Sequence, residues 1–216
     1  MESTLITVFM VILIMTYFLH PVQIVGNSMK NTLQPDDQVF MSTVFFDLSY
    51  GDIVVIDNDC AYLMSDSKNV VKFVKQMDSE GRFNFDMFLF NCGLHDLKRN
   101  KPDRALQVSI SDYESNLREV IAICKKNNVP VVFVNITPIL DTRYGEDAEF
   151  IRKNEDVIAY NAVAEKVMKE NDVPVIDLNG YTLSLGQLST TMRDHAHYYV
   201  DVQQKQAQYI ADYIMK

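Results

Sequence analysis

The chain has 216 residues, 48% of them hydrophobic, and a formal net charge of −9. That length suits one ordinary domain or two small ones. The acidic balance argues against a nucleic-acid partner, which needs a basic face. Three cysteines, Cys60, Cys92 and Cys124, are too few and too scattered for a disulfide framework. Cys92 and Cys124 lie in apolar runs, where free cysteine behaves as a small core residue.

Residues 5–19 carry no charge and are almost wholly apolar. As a helix they span about 22 Å, and flanking residues bring them close to the length a bilayer requires. A cleaved signal peptide would want a basic start and a small-residue cleavage site, yet the chain opens Met1-Glu2-Ser3. Residues 1–20 are therefore expected to be a retained, single-pass membrane anchor, with the lipid bilayer as partner.

Residues 21–80 read as a small β-rich segment. Apolar runs at 22–25, 38–46 and 52–56 are bounded by Pro, Asp, Gly and Asn, as short strands are. No long helix is expected here. Asn27-Ser28 follows the first run and is either a plain turn or a serine lifted off a strand end as a nucleophile. Residues 70–75 alternate with period two, so Lys72 shares a face with Val70 and Val74. A lysine so placed is desolvated, which lowers its pKa and suits it to act as a base. The alternative is an edge-strand lysine whose amine reaches water.

The pattern changes after Glu80-Gly81. Residues 85–90 form a nearly continuous apolar strand. Ser111-Asp112-Tyr113-Glu114 reads as a capping box opening a helix, with Leu117, Val120, Ile121 and Cys124 on one face. A strand follows at 131–134. A second helix carries Val157, Tyr160, Ala164, Val167 and Met168, and it leads to Val175-Ile176. The last helix, from about Asp201, turns Tyr209, Ile210, Tyr213 and Ile214 inward. Helices alternating with buried strands imply an α/β unit over residues 81–216, a parallel sheet covered on both faces. Ligands in such sheets meet the carboxyl ends of the strands. Two polar clusters fall there: Asn91-Cys92-Gly93-Leu94-His95-Asp96-Leu97, and Asp194-His195-Ala196-His197.

Two resemblances follow. Gly26-Asn27-Ser28-Met29, Thr32-Leu33, Gly51-Asp52-Ile53-Val54-Val55 and Val70-Val71-Lys72-Phe73-Val74 together resemble the type I signal peptidases. That resemblance covers about residues 1–78 and implies Ser28 as nucleophile, Lys72 as general base, and a chain lying mainly outside the cytoplasm. Asn31, Asp36 and Phe73 depart from the family's pattern. Residues 83–216 resemble the SGNH (GDSL-like) hydrolases, which implies a flavodoxin-like sheet. Asp194 and His197 match that family's Asp-x-x-His block, the base and its orienter. Gly93, His95 and Asp96 match its Gly-x-Asn-Asp block, with His95 in place of asparagine, so Gly93 and His95 fall at the oxyanion or substrate side. The family's first block, strand–Gly-Asp-Ser–helix, is not found in its usual form before residue 83.

Three functions fit this join. One is a membrane-anchored endopeptidase acting on a preprotein through Ser28 and Lys72. Another is an acyl-ester hydrolase in which Ser28 works with His197 and Asp194. The last is an inactive fusion of two incomplete halves. No cofactor is expected. A metal held by His95, Asp194, His195 and His197 is allowed by the His-x-His spacing but has no further ligand cluster behind it. The sequence sets no oligomeric state.

Overall fold

The computed structural model describes residues 19–23, 34, 36–42, 66–144 and 148–215. The chain divides into two compact units, residues 1–62 and 63–216. In the first, β1 (Leu19–Gln23) pairs antiparallel with β2 (Gln38–Ser42), in a register that sets Leu19 opposite Ser42 and Gln23 opposite Gln38. Leu19 and His20 are thus strand residues and not the end of an anchor helix; the rest of that anchor lies outside the described residues. Among the described residues no helix is long and apolar enough to cross a membrane.

The second unit opens with α1 (Ser67–Ser79). Asp66 caps it, its side chain accepting from the Asn69 main-chain N–H at 3.1 Å. Val70, Val71, Val74 and Met77 are buried, the one-sided stripe of a helix. The strand expected at residues 70–75 is therefore corrected. Val70 and Val74 satisfy a period of two, but Val71 and Met77 fit only the helical period. Lys72 consequently leaves the valine face and is exposed. It is not a desolvated strand lysine.

Three strands form the parallel sheet in the order β3 (Phe88–Phe90), β5 (Val131–Val134), β7 (Val175–Ile176). Phe90 aligns with Phe133, and Val134 with Ile176. Every residue of β5 is buried, because both faces are covered. Val131 and Phe133 pack with α1, α2 (Ile110–Lys126) and α3 (Asn154–Glu170). Val132 and Val134 pack on the other side with Leu178 and Tyr181 of α4 (Leu178–Ser184) and with Tyr209 and Ile210 of α6 (Val200–Ile214). Alternation along one buried strand thus feeds two helix layers.

Three sequence expectations shift in detail. The cap of α2 is Ser109, which accepts from Asp112 N at 3.1 Å; it stands two residues before the predicted capping box. Tyr213 and Ile214 of α6 are each 40% exposed, whereas Val202 and Gln206 are the residues of that helix that are buried. A small antiparallel pair, β4 (Arg99–Asn100) with β6 (Phe150–Ile151), was not foreseen. It is tied to α3 by a two-pronged ion pair from Arg99 to Asp156, both contacts at 2.8 Å. The remaining short elements are a 3-10 turn at Asp141–Arg143 and α5 (Leu188–Thr191).

Candidate active site

The site is built on the segments that leave the carboxyl ends of the strands. Asn91, just past β3, donates from Nδ2 to the Val134 carbonyl at 2.8 Å, so it ties the end of β3 to the end of β5. The chain then turns through Gly93, whose φ is +127°. A Cβ here would lie 2.3 Å from Ile136 Cδ1, so only glycine fits. This turn delivers Leu94, His95 and Asp96.

Asp96 is fully buried. Both its oxygens accept from the Ser67 main-chain N–H, at 3.1 and 3.0 Å, and Oδ1 also accepts from Ser67 Oγ. Asn116 Nδ2 donates to Ser67 Oγ at 2.8 Å. Burial pushes the Asp96 carboxyl upward, and the bonds from Ser67 oppose that rise. Ser67 was missed in the sequence, yet a signal was there. Ser65-Asp66-Ser67 follows the apolar run Ala61-Tyr62-Leu63-Met64 and opens the stripe of α1. Asp66-Ser67 ahead of a helix resembles the end of the strand–Gly-Asp-Ser–helix block, with Ser65 where that block has glycine.

The second cluster precedes α6. Asp194 Oδ2 lies 2.8 Å from His197 Nδ1, and Asp194 Oδ1 accepts the main-chain N–H of Ala196 at 2.9 Å and of His197 at 2.8 Å. Partial burial pushes the Asp194 carboxyl up, but these hydrogen bonds together outweigh it and hold it at about 2. Its ionised form therefore fixes the ring, with Nδ1 engaged and Nε2 left to take a proton.

Arg152 joins the two clusters. Its Nε donates to the Leu94 carbonyl at 2.7 Å, and its Nη1 is 3.3 Å from His195 Nε2. Leu140, beyond β5, donates its N–H to the His195 carbonyl at 2.9 Å. Burial is the main cause that lowers the pKa of both His95 and His195, and the charge of Arg152 adds to it. Both shifts favour the neutral imidazole. A neutral His95 can donate an N–H to an oxyanion. The guanidinium facing His195 also opposes a metal cation there, which weighs against the His-x-His metal reading.

Of the predicted site residues, Gly93, His95, Asp194 and His197 therefore lie on segments joined by Arg152. Lys72 is on the exposed face of α1, and Ser28 lies outside the described residues. Arg152 was not singled out from the sequence, since a lone arginine between β6 and α3 carries no motif.

The Asp194 shift predicts a pH effect. An unfolded carboxyl titrates near pH ~4, so Asp194 contributes its full stabilisation above that, and the contribution is lost as the pH falls toward 2. The side chain is 39% exposed, and solvent screening reduces the expected amount to about 1 kcal/mol. Urea unfolding of wild type and Asp194→Asn should show a stability gap at pH 6 that shrinks by that amount at pH 2. A gap independent of pH would remove the assignment.

Comparison with known proteins matches both halves. A family model described as signal peptidase, peptidase S26, matches residues 1–77. Its last residues, from Ser67 on, are those of α1. No curated protein matches the chain. Solved structures share the fold of the second unit. A GDSL-like lipase from Bacteroides thetaiotaomicron superposes with a TM-score of 0.55 at 14% identity, over 69% of this chain and 71% of that one. A lipase/acylhydrolase from Enterococcus faecalis gives 0.51 at 16% identity, over 69% and 70%. An α/β hydrolase enzyme from the metagenome of Lake Arreo, Spain, gives 0.51 at 19% identity, over 68% of this chain and 66%, just under two thirds, of that one.

Proposed function

We propose that the chain is a serine hydrolase whose α/β unit cleaves acyl esters. The observation that carries this reading is the Asp194–His197 pair, with Nδ1 held by an ionised carboxylate at 2.8 Å. In this reading His197 Nε2 takes the proton of a serine hydroxyl and that oxygen attacks the ester carbonyl. The oxyanion that forms is met by the His95 N–H, and the alcohol leaves with the proton from His197. Water then releases the acyl group by the same base.

We assign the serine as Ser67. It opens a 13-residue helix, whose amino end favours negative charge. Its main-chain N–H stays anchored on Asp96 when Oγ rotates away from that carboxylate, so the turn itself need not move. The match of residues 1–77 supports a second reading. There, the apolar run ahead of β1 sits in a bilayer and Ser28 with Lys72 cleaves an extracytoplasmic preprotein. The position of Lys72 on α1 weighs against it, because that reading calls for a desolvated lysine on a strand, and Lys72 is exposed on a helix.

The two serines separate the readings. With a short acyl ester as substrate, Ser67→Ala should abolish turnover and Ser28→Ala should leave it within about twofold. With a membrane-bound preprotein the second reading expects the reverse. Loss of ester hydrolysis in Ser28→Ala alone would move the nucleophile to Ser28. A wild type inactive on both substrates would leave an inactive join of two incomplete halves.

A further inference from the structure

Beside the Asp194–His197 loop lies an open cleft of about 540 Å³, lined by Arg104, Asp141, Tyr144, Arg152, Lys153 and Glu155 among others. The acids in it have donors of their own. Glu155 pairs with Lys153 at 3.0 Å, and Asp141 accepts from the Asn154 main-chain N–H at 3.2 Å. Among the described residues the two arginines have no acid at ion-pair distance. Arg104 donates only to main-chain carbonyls, those of Ala148, Arg99 and Glu149, at 2.9, 3.4 and 3.4 Å. Arg152 donates to the Leu94 carbonyl and otherwise faces His195 and the Phe150 ring, whose centroid is 4.9 Å from its Cζ. Among the described residues neither meets a carboxylate at ion-pair distance, whereas Arg82, Arg99 and Arg118 all do.

Arg152 is only 5% exposed. A guanidinium so buried without a counter-charge is unfavourable. Arg104 adds a second oddity, since its φ of +57° lies in the left-handed region, which a residue with a Cβ enters at a cost. The backbone carries that strain at the residue that brings a second guanidinium to the cleft. The Tyr144 hydroxyl, in the same cleft, is buried against Arg152, and its O–H finds no acceptor among the described residues. Two guanidiniums and one O–H donor therefore line the cleft, and among the described residues neither guanidinium has a carboxylate at ion-pair distance.

We propose that this cleft binds an anionic group of the substrate, a carboxylate or a phosphate, so that the ester cleaved here carries negative charge close to the scissile bond. This inference rests on the ester-hydrolase reading for its link to turnover. The link is short: the Tyr144 ring lies 4.4 Å from the ring of His195, which is next to Asp194 in the chain. A carboxylate or phosphate in the cleft would accept from both guanidiniums and from Tyr144 while the ester reaches His197.

The test uses the full chain. The ratio of kcat/KM for the 4-nitrophenyl half-ester of succinate to that for 4-nitrophenyl butyrate reads the preference for charge at one acyl length. Wild type should favour the charged ester by about tenfold or more, and Arg104→Ala or Arg152→Gln should lower the ratio by a similar factor. A general folding defect lowers both rates and leaves the ratio unchanged. Direct binding of succinate and of inorganic phosphate, read by calorimetry, says which anion the cleft takes, and Arg104→Ala should weaken it about tenfold or more. Ester turnover with no preference for charge, and no binding of either anion, would overturn the inference while leaving the hydrolase reading intact. Binding that depends on Arg104 in a chain that cleaves no ester would do the opposite.

Discussion

His197→Ala is expected to lower the hydrolysis of a short acyl ester by about 10²- to 10⁴-fold, the usual worth of a general base. The imidazole is the group in this loop with one nitrogen fixed by an ionised acid, Asp194 at 2.8 Å, and the other left for a proton. Most of the loss should appear in kcat, because the base acts on the transition state and contributes little to ground-state binding. Lys72→Ala is the matched control. Lys72 is an exposed position on the outer side of α1, so its removal should change ester turnover by less than about twofold and stability by less than about 0.5 kcal/mol. The opposite pattern, with Lys72→Ala inactive and His197→Ala active, would return the chemistry to the peptidase reading.

Gly93→Ala should cost about 3 kcal/mol of stability. Two effects add. The φ of +127° is open to glycine and strained for alanine. The new Cβ would also lie 2.3 Å from Ile136 Cδ1, 2.9 Å from Ile136 Cγ1 and 3.1 Å from Tyr113 Oη. Ile136 and Tyr113 are themselves fully buried, so neither can step aside cheaply. The same turn aims His95 and Asp96, and ester hydrolysis should fall beyond what the loss of folded protein explains. Urea unfolding of both proteins measures the first effect. A loss below about 1 kcal/mol would mean that the turn re-forms around alanine and that its geometry is not what holds His95.

Much of the α/β unit was legible in the chain because burial there follows simple periods. Val131, Val132, Phe133 and Val134 read as a strand buried on both faces, and that is what they form. Leu117, Val120, Ile121 and Cys124 read as one helix face, and all are buried. Asp194 and His197 were singled out for a different reason, their match to the Asp-x-x-His block of the family that residues 83–216 resemble, and the contacts between them are local to four residues.

Where two periods fitted the same few residues, the sequence alone could not choose. Val70-Val71-Lys72-Phe73-Val74 satisfies a strand's alternation, and also a helix once Met77 is included. The Asp66 cap and the burial of Val71 and Met77 within the unit decided for the helix, and with that choice Lys72 moved from a presumed dry face into water.

Ser67 was hidden because its significance is not local. It becomes a candidate only when a residue 29 positions away, Asp96, receives its N–H. The Arg104–Arg152 cleft is of the same kind, since a missing counter-charge is a property of the space around a side chain. By itself the sequence determined the periodic core and the short-range Asp-x-x-His pair, because neighbours along the chain suffice to specify them. Only the tertiary structure decided where Lys72 points, what Ser67 touches and which arginines lack an acid, because those depend on which distant segments share a strand end.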